Sequence, residues 1–333
     1  MNRILALGVA TVLMAAACSS ANGDPNSITL YSGRSEDLVQ PLIDEFSEST
    51  GITVTVKYAG SADLAATITE EGDNSPADVF FAQDPASLGT VALAGLFVEL
   101  PDEVLSVVPA RFSDTDGAWV GTSGRARVVV YDTSVVAPTE LPATEEGFTD
   151  PSWKGLVGIA PTNGSFLSFV AAKILTDGEQ ETLAWLEGMA ANNSPTFPKN
   201  SPIVAAVNDG QIPVGLVNHY YLLRALAEDS DLPGANHFFE VATAGGLVMP
   251  AGAGILASSG SKDAAQQFIE FLLSDQAQEF FAQETFEYPL VPGIAANPLL
   301  PPIDTIPTPN IDLSDLASVL DTATDLVAQA GLL

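Results

Sequence analysis

The chain has 333 residues, of which 42 are acidic and 11 are basic, so its formal net charge is −31. A charge of this sign and size repels nucleic acid and anionic membrane surfaces, which excludes a nucleic-acid-binding function. Hydrophobic residues make up 47% of the chain, enough to bury an ample core, and a single cysteine excludes an internal disulfide.

The N-terminus has the pattern of an export signal. Arg3 is followed by an apolar run, Ile4–Ala17, that is too short to span a bilayer. With Cys18 next, the segment resembles a bacterial lipoprotein signal, although Ala15 stands where such signals prefer leucine. We expect residues 1–17 to be a signal peptide, Cys18 to be lipidated and residues 18–26 to be a tether. An ordinary signal peptide with a cysteine near the cut is the alternative, so the mature chain is either lipid-anchored outside the cytoplasmic membrane or periplasmic.

Strand and helix patterns alternate after the tether. The predicted elements are a strand at Ser27–Tyr31, a helix at Ser35–Glu48, a strand at Ile52–Tyr58, a helix at Ser61–Glu71, a strand at Ala77–Phe81 and a helix ending near Ala94. This repetition predicts an α/β fold with parallel strands. Ligands bind outside the carboxyl ends of such strands, which points to the loops Tyr31–Ser35 and Phe81–Asp84.

The alternation continues to the C-terminus. The later elements are strands at Arg125–Tyr131, Leu156–Ala160, Gln211–Asn218 and Gly254–Ala257, a mostly helical stretch at Phe166–Ala190, helices at Lys262–Leu273 and Gln276–Gln283, a proline-rich surface stretch at Pro292–Pro309 and a closing helix at Leu313–Ala330. Gly164 and Ser165 precede the long helical stretch. Their backbone N–H groups form a candidate anion seat.

Two adjacent tyrosines, Tyr220 and Tyr221, follow the predicted strand that ends at Asn218. A phenolate is a hard oxygen donor, and a trivalent cation such as Fe³⁺ offsets the cost of ionising it at neutral pH. Neighbouring residues of a strand point to opposite faces, so both rings reach one ion only at a strand end or in a turn. The alternative is a packing pair with one ring inward and one outward.

Four stretches, taken in order and spacing, resemble the ferric-ion-binding proteins of bacterial ABC uptake systems. They are Leu30–Ser35, Pro76–Phe81, Ser123–Tyr131, and Phe197–Asn200 leading to Asn218–Tyr221. The resemblance covers nearly all of the mature chain. It implies a two-lobed periplasmic-binding-protein (Venus flytrap) fold with ligand in the cleft and hinge strands near Arg125 and Gly246. The implied first lobe is 27–125 and 247–300, and the second is 126–246 and 301–333.

The resemblance also implies a site. It places the family's paired iron ligands on Tyr220 and Tyr221, and a carbonate or similar synergistic anion on a helix N-terminus, asparagines and an arginine. The matching anion-binding positions are Arg125, Asn163, Gly164, Ser165, Asn200 and Asn218.

Two departures from the family pattern concern the first lobe. Ser35 stands where many members have a histidine ligand, and Gln83 where they have a glutamate ligand. Both are neutral and poor Fe³⁺ donors. Since Fe³⁺ with two phenolates keeps a positive charge, we expect a further anion, with exogenous carbonate preferred to the carboxylate of Asp84. The first-lobe cleft candidates are thus Ser35, Gln83 and Asp84.

Other charged and imidazole side chains near these motifs have competing interpretations. His219 is a candidate ligand, but a hydrogen-bonding role beside the site is favoured. His237 has no supporting context. Arg34 and Arg127 each have two interpretations, an ion pair at the surface or between the lobes, and a contact to the anion.

The sequence therefore favours a monomeric carrier that captures ferric iron and delivers it to an ABC permease and its ATPase. A binding protein for an oxyanion, a polyamine or a small organic solute would share the fold and the anchor, with the tyrosines as stacking walls. An exported enzyme is not supported, because the chain contains no Gly-x-Ser-x-Gly turn and no His-Glu-x-x-His motif.

Overall fold

The structure is a computed structural model that describes residues 26–333. The signal peptide, Cys18 and nearly all of the tether lie outside the described residues. Within residues 26–333, no helix combines the length and the apolar character that crossing a membrane requires.

The first third of the chain forms the six alternating elements that the sequence predicts and one short helix that it does not predict. They are β1 (Ser27–Ser32), α1 (Glu36–Thr50), β2 (Thr53–Tyr58), α2 (Ser61–Glu71), β3 (Val79–Ala82), α3 (Pro85–Leu93) and the short α4 (Asp102–Leu105). Strand β1 lies between β2 and β3 and is parallel to both. Helix α1 ends at Gly51, whose φ of 75° suits glycine.

The remaining elements alternate less regularly. They are β4 (Val120–Asp132), β5 (Val157–Gly158), α5 (Gly164–Asp177), α6 (Glu179–Ala191), α7 (Asn200–Asn208), β6 (Val214–Asn218), α8 (Tyr220–Glu228), β7 (Gly234–His237), β8 (Val248–Ile255), α9 (Lys262–Leu272), α10 (Asp275–Gln283), β9 (Tyr288–Pro289) and α11 (Leu320–Gln329). The predicted helical stretch Phe166–Ala190 is two helices, because Gly178 at φ 92° breaks it. Helices α7 and α8 and strands β7 and β9 were not predicted. The strand predicted at Gly254–Ala257 is the end of the longer β8, and the helix predicted at Leu313–Ala330 begins as the 3-10 helix Leu313–Val319.

The sheet is mixed, in the order β2-β1-β3-β8-β4-β6-β5, with β7 and β9 also paired to β4. The long strand β4 joins its two parts. Its first half, through Ala126, pairs with β8, and its second half, from Arg127, pairs with β6 and β7. The strands and helices around each part form the two lobes of an α/β protein, and β4 crosses between them next to the hinge predicted at Arg125.

The C-terminal segment contacts both lobes. The 3-10 helix Leu313–Val319 packs on α3 of the first lobe and on α5 of the second, and α11 packs on α5 and α6. Gly89 of α3 permits this approach, since a β-carbon there would collide with Ala317. The assignment of 301–333 to the second lobe, like the other lobe boundaries, stays a prediction.

Candidate functional site

The tyrosine pair lies where a strand ends and a helix begins. Strand β6 stops at Asn218, and Tyr220 and Tyr221 open α8, so the two side chains do not alternate as they would in a strand. Their rings stack with centroids 4.1 Å apart and planes 28° apart. Tyr220 is buried and Tyr221 is half-buried. Both phenols therefore face the same region.

That region is a cavity of about 650 Å³ between the lobes. Both predicted first-lobe loops line it, through Ser35 after β1 and through Gln83 and Asp84 after β3. The opposite wall includes Asn163 and Gly164 at the start of α5, together with the tyrosine pair. The two tyrosines, the three first-lobe candidates and the start of α5 thus line one cleft, whereas Arg125, Ser165, Asn200 and Asn218 do not line it.

Asp84 is committed to its own helix. Its Oδ1 accepts from the Ser87 backbone N–H at 2.8 Å and its Oδ2 from the Ser87 hydroxyl at 3.0 Å, which caps α3. Ser168 of the second lobe also donates to Oδ1 at 3.3 Å. Since both oxygens already accept hydrogen bonds, Asp84 serves as a helix cap and interlobe contact rather than as a free carboxylate.

Three residues of the predicted anion seat are joined by hydrogen bonds. The Oδ1 of Asn163 accepts from the Ser165 backbone N–H at 3.1 Å, from the Ser165 hydroxyl at 2.7 Å and from Asn200 Nδ2 at 3.2 Å. Asn200 Nδ2 also lies 3.2 Å from Ser165 Oγ. This arrangement fixes the first turn of α5, whose N–H groups and helix dipole attract an anion.

Asn218, at the end of β6 and next to the tyrosine pair in sequence, is buried beside Arg127. Its Oδ1 lies 3.5 Å from Arg127 Nη1, and within the described residues its buried Nδ2 has no hydrogen-bond partner. Arg127 is buried over the ring of Phe169 in α5, and burial lowers the pKa of Arg127 to about 10, so it stays charged at neutral pH. A buried cation and an unpaired donor suit a bound anion.

Arg125 is held at the hinge. Its Nη2 donates to the Pro250 carbonyl at 3.0 Å, and its Nε lies 3.7 Å from Glu287 Oε1. Glu287 also accepts from Arg34 Nη2 at 2.7 Å, and all three side chains are buried. Burial alone would raise the pKa of Glu287, but Arg34 and then Arg125 outweigh it and lower that pKa.

The buried charges around the tyrosines are unbalanced. Arg34, Arg125 and Arg127 carry three positive charges, and Glu287 is the one carboxylate that pairs with any of them among residues 26–333. Burial, followed by the neighbouring Tyr221, raises the pKa of Tyr220 well above its ordinary value. Tyr220 is therefore a neutral phenol until a cation binds, and the excess positive charge favours entry of an anion.

Comparison with known proteins identifies the family. Residues 74–312 match the family described as bacterial extracellular solute-binding protein. The chain belongs to this family.

Relatives of this solute-binding protein are similar over nearly their whole length. The major ferric iron-binding protein of Neisseria meningitidis serogroup B is 35% identical, over 96% of this chain and 97% of that protein. The structure of iron-bound HitA from Pseudomonas aeruginosa is 34% identical with a TM-score of 0.88, covering 92% of this chain and 99% of that one. A Trichodesmium protein in complex with iron and citrate is 30% identical with a TM-score of 0.79, over 92% and 99%. The resemblance and the two-lobed fold expected from the sequence are confirmed.

His219 is occupied by backbone contacts. Its Nδ1 accepts from the Ala126 N–H at 3.1 Å, and its Nε2 donates to the Phe286 carbonyl at 2.8 Å. The ring is fully buried, so the sequence preference for a hydrogen-bonding role over iron ligation agrees with this geometry. His219 links the second lobe to β4 and to the segment before β9.

This contact makes stability depend on pH. Burial lowers the pKa of His219 to about 4, from 6.5, so between these values the unfolded chain binds more protons than the folded one. Burial of the neutral ring therefore contributes its full share to the free energy of unfolding above pH 6.5. That contribution falls by up to about 3 kcal/mol as the pH drops toward 4. Urea unfolding at pH 7 and pH 4.5 should show a smaller pH dependence for His219→Gln than for the wild type. Equal pH dependence in the two proteins would contradict the assignment.

A second group of carboxylates does not form a metal site. Glu145, Glu146 and Asp177 lie close together, but they surround the buried ammonium of Lys173. Burial alone would lower the pKa of Lys173, but the hydrogen bonds that its ammonium donates to Asp177 and Glu146 more than offset this and raise that pKa. The lysine charge already occupies the position that a cation would take.

The sequence interpretation missed Glu287 and the Asp37–Arg224 ion pair. Glu287 is flanked by two aromatic residues, Phe286 and Tyr288. This flanking is a weak signal of a buried carboxylate, and it does not reveal the partners of Glu287. Asp37 in α1 and Arg224 in α8 pair at 3.0 Å across the cleft mouth. Neither residue has a local pattern that indicates this contact.

Proposed function

We propose that this solute-binding protein captures ferric iron between its lobes and delivers it to an ABC permease with its ATPase. The observation that carries the proposal is the stacked pair Tyr220 and Tyr221, which faces the interlobe cavity beside the α5 seat. Two phenolates and a dianion supply the hard oxygen donors and the negative charge that Fe³⁺ requires. The Neisseria relative is a ferric iron-binding protein and the Pseudomonas structure is iron-bound, which supports iron as the ligand.

The proposed anion is carbonate or a similar oxyanion held by this chain's own donors. The first turn of α5, at Asn163, Gly164 and Ser165, would hold its oxygens, and Asn200 keeps that turn in place. Asn218 Nδ2 is an unused buried donor. Arg34 donates to Glu287, whereas Arg125 lies 3.7 Å from Glu287 and its buried Nε and Nη1 have no hydrogen-bond partner within the described residues. We assign the main cationic contact of the anion to Arg127, because it lies beside Asn218, and the outer counter-charge to Arg125.

In this mechanism the anion enters first, since the empty cleft carries excess buried positive charge. Ferric iron then displaces the phenolic protons of Tyr220 and Tyr221, and the closing lobes exclude water from the site. Ser35 and Gln83 offer no charged ligand from the first lobe. Acidification reverses these binding steps, because protons compete with iron for both phenolate and carbonate.

The protein is further proposed to be a monomer that is exported and held to the membrane by lipid on Cys18. The tether 18–26 would leave both lobes free to meet the permease. No catalytic step is proposed.

The test is iron retention with and without bicarbonate. The wild-type protein, loaded with ferric salt and passed through a desalting column, should retain one iron per chain when bicarbonate is present and less when it is removed. Arg127→Gln should retain iron at least about 10-fold more weakly when bicarbonate is scarce and recover as bicarbonate rises. Arg125→Gln, the matched control, should show a smaller dependence on bicarbonate.

Two results would contradict this account. Retention of iron that is independent of bicarbonate in all three proteins would exclude the exogenous anion. A wild-type protein that retains no iron but copurifies with an oxyanion, a polyamine or an organic solute would replace iron with the alternative ligand class.

A further inference from the structure

Gln83, one of the first-lobe cleft candidates, makes a direct contact with one of the tyrosines. Gln83 follows β3 in the first lobe, and its Nε2 lies 3.4 Å from the hydroxyl oxygen of Tyr221 in the second lobe. The two residues are 138 positions apart in sequence. The contact therefore joins the two lobes across the cleft.

Gln83 is held in place by its own lobe. Its backbone N–H donates to the Ser61 hydroxyl at 2.8 Å, at the start of α2. Ser61 in turn packs on Gly33, where any β-carbon would collide with the serine side chain. The loops after β1 and β3 are thereby fixed to each other, and the half-buried amide of Gln83 reaches across the cleft from a rigid base.

The protonation state of Tyr221 determines which atom of the Gln83 amide, the Nε2 donor or the Oε1 acceptor, faces the phenol oxygen. A neutral phenol either donates or accepts, so it tolerates both orientations of the amide. A phenolate only accepts, so it selects the Nε2 donor, and the hydrogen bond becomes charge-assisted and shorter. A phenolate oxygen bound to a metal keeps a lone pair for this donor. A carboxylate at position 83 has no donor and would face the phenolate oxygen only through a shared cation.

We propose that Gln83 is a positioning residue that couples metal binding at Tyr221 to closure of the first lobe. It does so by donating a hydrogen bond to the metal-bound oxygen of Tyr221. This inference rests on the proposed iron function. Metal binding ionises Tyr221, the ionised oxygen strengthens its bond to Gln83, and the lobes are held closed without a metal ligand from the first lobe. The closed state is then stabilised through the ligand itself.

The experiment compares the full-length wild type with Gln83→Met, which is similar in size but has no N–H donor. After loading with ferric salt and bicarbonate, Gln83→Met should release iron to a competing chelator about 10-fold faster. Its visible charge-transfer band should move to longer wavelength, because the phenolate electrons lose the stabilisation of the hydrogen bond. A release rate and a band equal to those of the wild type would overturn the proposal.

A matched control separates tuning of the ligand from simple closure of the lobes. Asp37→Asn removes the ion pair between Asp37 and Arg224, which joins α1 to α8 across the same cleft and has no hydrogen bond to either phenol. It should speed release by no more than about 5-fold and leave the band unmoved. If Gln83→Met behaves in this way too, Gln83 is only a contact between lobes and the proposal is wrong. A wild type without any visible band would instead count against the proposed iron function.

Discussion

Replacing either Tyr220 or Tyr221 with phenylalanine is expected to weaken ferric iron binding by at least about 100-fold, because each variant removes a charged oxygen donor and nothing else. Competition with a chelator of known affinity measures the loss. The folded state should be retained, since only one hydroxyl is deleted from each ring. The double variant with phenylalanine at both positions should lose far more iron affinity than either single variant, because Fe³⁺ would then have no phenolate ligand.

Tyr58→Phe is the matched control for this expectation. Tyr58 lines the same cavity, but its hydroxyl donates to Gln40 Oε1 at 2.6 Å. Its removal should leave iron affinity within about 2-fold of the wild type. Equal affinities for the Tyr58, Tyr220 and Tyr221 variants would show that the pair only packs or stacks.

Replacing Glu287 with alanine is expected to lower the free energy of unfolding by about 3–5 kcal/mol, because it leaves the buried charges of Arg34 and Arg125 without a carboxylate. The ion pair of Arg34 with Glu287 joins the first-lobe loop to the segment before β9 at 2.7 Å. Urea or thermal unfolding of the iron-free protein measures the effect.

The exposed pair of Arg111 with Asp304 provides the comparison. It has a similar distance of 3.0 Å, but its groups are solvated, so Asp304→Ala should cost less than about 1 kcal/mol. A loss below about 1 kcal/mol for Glu287→Ala as well would mean that the buried cluster does not hold the hinge together.

The first lobe was largely predictable because its signals are local. Helix α2 has the predicted bounds, Ser61–Glu71, and the strands around it differ by one or two residues at their ends. Parallel pairing of β1 with β2 and β3 then places the loops after β1 and β3 at one edge, by topology alone. Both loops line the cavity, as the sequence predicts.

The second lobe was less predictable because its signals conflict locally. Tyr220 and Tyr221 favour strands by propensity, yet they open α8, where Leu222 and Leu223 are buried. The pair follows the end of β6, the position that lets both rings face one ion, while the helix that follows depends on tertiary packing. Strand β5 is shorter than expected for a similar reason, since only Val157 and Gly158 pair with β6.

The candidate site shows the limit of a single sequence. The α5 seat was visible as a local helix start, and Asn163, Ser165 and Asn200 lie together. The long-range partners were not visible, because Arg34 meets Glu287 across 253 residues and no local pattern records such a pairing. For the same reason, the sequence did not reveal that Asn218 lies beside Arg127, and the choice of Arg125 as the arginine that contacts the anion stays a prediction.

The central claim, iron held by the two tyrosinates with an added anion, is tested most directly by a visible absorption titration. Purified protein, free of metal, is titrated with ferric salt in the presence of bicarbonate. The account predicts a phenolate-to-iron charge-transfer band that saturates at one iron per chain, weakens or shifts in Tyr220→Phe and Tyr221→Phe, and fades on acidification. A wild-type protein that stays colourless through the titration would contradict the account.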